Sequence, residues 1–291
     1  MKVFSKLFVS SCLGLLSLGF TFSALAREDD DLQKLIDSCT SAGNLFTIVV
    51  MEDNPPFSWV TYTEGSANKG VNAYGIGPLI MDELLKDAKV ERFRYLKEER
   101  RADIENLALG EGETDATIGI QYTPKLDPQI QRDFIKPSFM ANPIVAVMPK
   151  GKEKKIDGVK DLYGLKGGML VRDDLQKVFP SDLALAKLKS TKEAFLRLRN
   201  GELDYVLMGY YTAKMDAKKF QVEDEVTISE KILRSTNLFI TLSQKSTCRI
   251  LRDTFNKKLK EITADKNKMG GLLYRVYEEY EKQNQGFPAL Q

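Results

Sequence analysis

The sequence predicts an α/β protein of two lobes, each a mixed, mostly parallel sheet flanked by helices, with two crossing strands between them. The first observation behind this is an internal match. Gly112-Glu113-Thr114-Asp115 is followed by Tyr122-Thr123-Pro124-Lys125, and Gly201-Glu202-Leu203-Asp204 is followed at the same spacing by Tyr211-Thr212-Ala213-Lys214. In each copy a short apolar run and a glycine, Gly119 or Gly209, lie between the Asp and the Tyr. The pattern reads as helix, tight turn, buried strand, then a loop at the strand's C-terminal end. In an open α/β sheet that end is where ligands bind, so two such units suggest lobes facing one another across a cleft. The second observation is that strands alternate with helices along the chain. The third is a pair of chain crossings, which place both ends of the chain in the first lobe.

The elements follow in order. Leu45–Met51 is a fully buried strand after a short helix at Asp29–Ser38. Asn54-Pro55-Pro56-Phe57-Ser58-Trp59 is a rigid loop, because two prolines fix φ and cannot continue a ladder. Residues 65–70 form a polar tip. Gly75-Ile76-Gly77-Pro78 opens a helix with proline in its first turn. Val90–Leu96 is a half-buried strand, 101–109 a charged helix, and Ala116–Ile120 the first repeat strand. The irregular stretch Asp133–Phe139 leads through the first crossing into the strand Ile144–Met148. A short helix stops at Gly164, a strand covers Gly168–Val171, and a helix starts at Asp173. Ser190 and Glu193 have capping-box spacing for a helix to Arg199. The second repeat strand, Tyr205–Met208, precedes a helix at Thr212–Lys219 and a strand at Glu225–Ser229. After the second crossing come a strand at Asn237–Leu242 and two terminal helices. The expected division is 27–138 with 236–291 as lobe 1 and 143–232 as the inserted lobe 2. The hinge falls near 139–142 and 233–235.

Residues 1–26 read as a cleaved export signal. Lys2 and Lys6 precede an apolar run from Leu7 to Phe22, and Ala24-Leu25-Ala26 is a small-residue cleavage signal. The remainder is balanced in charge, since the signal carries two of the 43 basic residues and none of the 41 acidic ones. A nucleic-acid partner would need a basic excess. The expected location is the periplasm, and the expected state a monomer. Cys39 and Cys248 remain after cleavage, and in an oxidising compartment they are candidates for a disulfide.

The order and spacing of several short motifs resemble the extracytoplasmic solute-binding proteins of bacterial ABC importers, the amino-acid-type group with the type II periplasmic-binding-protein fold. The motifs are Asn54-Pro55-Pro56-Phe57-Ser58, Gly75-Ile76-Gly77-Pro78-Leu79-Ile80, Gly112-x-x-Asp115, Thr123-Pro124 and Phe134-x-x-Pro137-Ser138-Phe139. In the second lobe they are Asp161-Leu162-Tyr163-Gly164, Gly201-x-x-Asp204 and the Leu272 to Tyr277 region. The resemblance implies a binding protein that closes on a small polar or organic-acid ligand and presents it to a membrane ABC permease. It also implies an aromatic, here Phe57, that stacks on the ligand. Members that bind α-amino acids carry an arginine after Thr-Pro and an aspartate after the second repeat strand; this chain has Lys125 and Gly209. Without that clamp the expected ligand is not a standard L-amino acid.

The candidate ligand-binding residues are Phe57, Asn54, Trp59 and Tyr74 near the first strand and helix, and Gly119, Gln121, Tyr122, Thr123 and Lys125 after the first repeat strand. In the second lobe they are Arg172, Gly209 and Tyr210. Phe57 reads equally as a cap on the core, Trp59 as a packing residue, and Asp173 as a helix cap rather than a ligand contact. No catalytic residue, cofactor or metal is expected. The chain has no histidine, which removes the commonest general base and metal ligand. Two other readings stay open: a secreted, dehydratase-like enzyme of the same fold, and a degenerate paralogue that acts as an interaction protein.

Overall fold

The computed structural model describes Lys34, Cys39 and residues 45–62, 71–98, 114–121, 132–173, 175–288 and 290. The expected export signal and, apart from Lys34, the expected first helix, the expected 65–70 tip and the expected 101–109 helix lie outside the described residues.

The apolar run Phe46–Met51 forms β1, buried at every position. It pairs in parallel with β5 (Phe93–Glu98) on one side and β6 (Ala116–Gln121) on the other. Helix α1 (Ile76–Asp87) buries Ile76, Ile80, Met81, Leu84 and Leu85 against this sheet. Its start needs glycine. A Cβ on Gly77 would lie 2.3 Å from Cγ2 of Ile118 on β6, so the helix N-terminus is seated directly on the sheet.

Beyond β7 (Arg132–Phe134), the ten-residue strand β8 (Met140–Pro149) carries the chain into the second lobe. There β9 (Gly167–Leu170) pairs in parallel with β10 (Leu185–Leu188) and β11 (Tyr205–Gly209). Helix α2 (Thr191–Arg199) starts at Ser190, whose hydroxyl accepts from the Glu193 amide, as its spacing predicts. Helix α3 (Tyr210–Lys219) follows β11 without a break, and β12 (Val226–Ile228) pairs with β8. Strand β13 (Arg234–Ser243) returns to the first lobe, where α4 (Arg252–Ala264) and α5 (Lys266–Gln283) complete it.

The two lobes have one topology. The first reads β5-β1-β6-β13 with β7 beside β13; the second reads β10-β9-β11-β8 with β12 beside β8. In each lobe the crossing strand that arrives from the other lobe runs antiparallel to the repeat strand. The crossing strands also pair with each other, Arg234–Leu238 against Met140–Ile144, so the ladder is unbroken from β10 to β5. Sequence patterning suggests one sheet per lobe. The continuity comes from the length of β8 and β13, which each serve both lobes.

Several expectations are corrected. The double-proline stretch is not a free loop. Asp53–Asn54 (β2) and Ser58–Thr61 (β3) pair as a hairpin and recruit β4 (Asn72–Tyr74), with the prolines confined to the turn, where no amide is needed. The helix expected from Asp173 is instead two short 3-10 turns, Val171–Asp173 and Leu175–Lys177. The short strand β10 has no alternation in Leu-Ala-Lys-Leu to announce it.

Candidate functional site

The repeated aspartates do the same structural work in both lobes. Asp115 Oδ2 accepts from the Thr47 amide at 2.8 Å, and the Asp115 amide donates to the Thr47 carbonyl at 2.9 Å. Asp204 Oδ2 accepts from the Lys166 amide at 2.8 Å, and the Asp204 amide donates to the Lys166 carbonyl at 2.8 Å. Thr47 is the second residue of β1, and Lys166 immediately precedes β9. Each carboxylate thus anchors the start of its lobe's first strand beside its third, and the strands' other ends converge between the lobes.

That convergence is direct. Arg172, just past the end of β9, is buried and reaches across to the Asp53 carboxylate, just past the end of β1. Its Nη2 donates to Thr191 Oγ1 at 3.1 Å and lies 3.7 Å from the carboxylate of Asp216 on α3. Asp216 accepts at 2.7 Å from the hydroxyl of Tyr280 on α5, in the other lobe. Thr212 on α3 donates to the Pro55 carbonyl at 2.6 Å. Burial pushes the Asp216 carboxyl above the ordinary carboxylate range, and the Asp53 charge pushes the same way, while Arg172 opposes both. Burial works against the Arg172 charge, but Asp53, Asp173 and Asp216 together hold the guanidinium more firmly protonated than usual. Burial and the neighbouring Asp216 keep the Tyr280 hydroxyl protonated far above its usual range, so it remains a donor.

The residues predicted from sequence fall into three groups. Tyr122, Thr123 and Lys125 lie outside the described residues. Phe57, Trp59 and Tyr74 are packing residues of the first lobe's face. Phe57 is 1% exposed and meets Tyr211 edge-on with centroids 6.4 Å apart. Trp59 stacks on Tyr74 at 5.9 Å, meets Tyr280 edge-on at 5.2 Å, and donates through Nε1 to Gln283 Oε1 at 2.7 Å. Asn54 is buried beneath the hairpin, its amide nitrogen 3.6 Å from Met51 Sδ. Gln121, Arg172, Gly209 and Tyr210 stand at the converging strand ends. Gly119 is the extra residue of a bulge in β6, since Ile118 and Ile120 oppose the adjacent Ile240 and Phe239. Tyr210 packs edge-on to Tyr211 and lies under the Lys214 ammonium, 4.7 Å from its ring centroid.

Sequence reasoning missed Asp53 and Asp216. Asp53 was adjacent to a recognised motif. Asp216 sits in a helix whose other charged residues are lysines, and its pattern gives no hint that the one acid points inward.

No protein-family model matches the chain, and no curated protein matches it in sequence. Its structure does have relatives. It is similar to AbpA from Streptococcus pneumoniae, an amino-acid ABC transporter substrate-binding protein bound to L-arginine. The TM-score is 0.63 at 14% identity over 84% of this chain and 98% of that one. The fold is that of a two-lobed periplasmic binding protein. The same periplasmic-binding fold appears in a mutant of ArgBP from T. maritima, TM-score 0.64, 20% identity, 84% of this chain and 99% of that one. It appears again in the periplasmic VFT2 domain of Bordetella pertussis BvgS, TM-score 0.61, 16% identity, 86% and 97%. Identities this low speak to the periplasmic-binding fold alone. Among the described residues no helix is long and apolar enough to cross a membrane, and no group of three or more His, Cys, Asp or Glu is placed to hold a metal.

Proposed function

We propose that this protein is a periplasmic solute-binding protein of the amino-acid-type group, which captures a small polar molecule between its lobes for an ABC importer. The observation that carries this is the meeting of Arg172 with Asp53, which brings the ends of the two lobes' first strands to one place. Ligands of α/β sheets bind at such ends. The solved relatives with this fold include an amino-acid ABC transporter substrate-binding protein, ArgBP and the periplasmic VFT2 domain of BvgS, which favours binding over catalysis. The lobes are proposed to divide near 138 and 143 and near 232 and 236, with residues 1–26 removed on export and the mature chain a monomer.

The ligand is proposed to differ from a standard L-amino acid, because Gly209 supplies no carboxylate for an ammonium group. Of a small polar molecule and an organic acid, the first is favoured. Arg172 already faces Asp53, Asp173 and Asp216, so the surroundings carry more negative than positive charge. Mass spectrometry of compounds released from protein purified under native conditions tests this reading. Recovery of one small molecule, unchanged after incubation, is the expected result. A compound that is chemically altered on incubation indicates the enzyme instead.

A second reading has its own observation. Phe57 against Tyr211, Thr212 on Pro55 and Tyr280 on Asp216 are direct contacts between the lobes. They suit an interaction protein that closes on itself. Protein that releases no small molecule and has the same solution dimensions with and without a broad metabolite mixture supports that reading.

A further inference from the structure

Where the crossing strands meet β6 lies a patch of polar side chains, each with an atom left unpartnered among the described residues. Thr236 of β13 lies opposite Asn142 of β8, and Leu238 lies opposite both Met140 of β8 and Gln121 of β6. Opposed residues share a face of a sheet, as do residues two apart on one strand. Gln121, Thr236 and Asn142 therefore stand on one face, around Leu238. Gln121 is there because of the bulge at Gly119, which shifts the strand's alternation by one and turns this side chain over. Gly209 borders the patch. A Cβ at that position would lie 2.5 Å from Asn142 Oδ1, so any larger residue there would displace the amide from its present position. The patch lies between the C-terminal ends of β6 and β11, where the lobes converge.

All three side chains are buried: Gln121 at 5% exposure, Asn142 at 6% and Thr236 at 8%. Among the described residues, Gln121 Nε2, Asn142 Oδ1 and Thr236 Oγ1 each lack a hydrogen-bond partner. Buried polar side chains are nearly always partnered, and each orphan is destabilising. Three on one face, at the ligand-binding end of both repeat strands, describe a surface that waits for complementary groups. Their chemistry is mixed: an amide nitrogen that donates, an amide oxygen that accepts, and a hydroxyl that does both. A carboxylate only accepts and leaves Asn142 Oδ1 unmatched. An ammonium only donates and leaves Gln121 Nε2 unmatched. A hydroxyl pair or a primary carboxamide answers all three.

We propose that the crossing strands form a recognition surface for an uncharged, hydrogen-bonding part of the ligand, a vicinal diol or a carboxamide, held by Gln121, Asn142 and Thr236. This rests on the solute-binding reading and names the ligand class for that site.

The test is a thermal-shift panel on the mature protein with three arms. One holds neutral pentoses, hexoses, polyols and primary carboxamides. The others hold the carboxylates and the amines that correspond to those carboxamides. Stabilisation by a neutral compound is expected. Thr236→Val and Gln121→Leu should each weaken that compound's binding about tenfold, the effect of one lost hydrogen bond. Because they remove an unpartnered group, the same variants should raise the ligand-free midpoint, by about 2–4 °C for each kcal/mol of orphan penalty relieved. A merely structural role would lower it. Asn142→Asp should shift the preference toward the amine arm. Stabilisation by carboxylates or amines alone, unaffected by the Thr236 and Gln121 variants, overturns the inference and leaves solute binding standing. No stabilisation in any arm overturns both.

Discussion

Arg172 is the residue on which the two lobes meet. Its guanidinium is shared among Asp53, Asp173 and Asp216, and only Asp53 is substantially exposed to solvent. Removing one partner of a buried charge group strands the others, so Arg172→Met should lower stability by about 3–5 kcal/mol in urea unfolding. Asp53→Asn should cost under about 1 kcal/mol, because water already screens that carboxylate. Asp216 supplies a pH signature. Its carboxyl holds a proton more tightly in the folded chain than in the unfolded one, chiefly through burial. The stability linked to that proton is fully present below the unfolded pKa and is lost as pH rises through the raised folded value. Asparagine mimics the protonated form, so wild type should fall behind Asp216→Asn as pH rises from about 4 to about 7. Unfolding free energies across that range decide it. A wild-type advantage that grows with pH would mean that the Arg172 attraction outweighs burial.

At the scale of elements, the repeat matters for architecture before ligand binding. Among the described residues, Asp115 accepts from the Thr47 amide and the Ser246 hydroxyl, whereas Asp204 accepts from the Lys166 amide alone. Asp115→Ala should therefore cost about 2 kcal/mol and Asp204→Ala about 1 kcal/mol, measured by chemical denaturation. Equal losses would indicate that Ser246 adds nothing. The repeat strands, α1, α2 with its serine cap, and the terminal helices were legible because buried periodicity, capping and glycine punctuation act locally. Strand β10 was not, because it forms by pairing with β9 across the intervening turns, and the hairpin around Pro55-Pro56 was not, because two prolines read as ending a strand rather than as the turn between two. In the site, Gln121, Arg172 and Gly209 were legible as residues following strands. Asn142 and Thr236 were hidden, since each is one polar residue in a crossing strand until the register sets them face to face.

At the scale of the whole molecule, two devices tie the chain's ends into the fold. Cys39 and Cys248 are joined in a disulfide, with Cα atoms 4.9 Å apart across 209 residues of sequence. Reduction should lower stability by about 2–5 kcal/mol. The check is denaturation with and without a reductant, beside thiol counting that finds no free cysteine in the oxidised protein. Unchanged stability on reduction would leave the bridge without a role in the fold. The second device is an exchange of apolar groups. Met215 of α3 packs into the first lobe's core, and Leu290, near the C-terminus, packs into the second lobe's core. The Arg199 guanidinium holds the Leu290 carbonyl at 2.8 Å, and the Leu290 amide donates to Phe220. The lobes are thus joined by the crossing strands, by the Arg172 group and by Leu290.

By itself the sequence determined what local physics controls. Apolar runs marked the strands, glycine and proline marked their limits, the repeat marked two similar lobes, and the two cysteines beyond the expected export signal marked a bridge. Only the tertiary structure decided which polar groups meet. Arg172 and Asp53 lie 119 residues apart, and Thr236 faces Asn142 through a strand register that no local pattern encodes. Charge pairing and hydrogen-bond satisfaction depend on distances of a few ångströms between such remote segments, and those distances are set by folding alone.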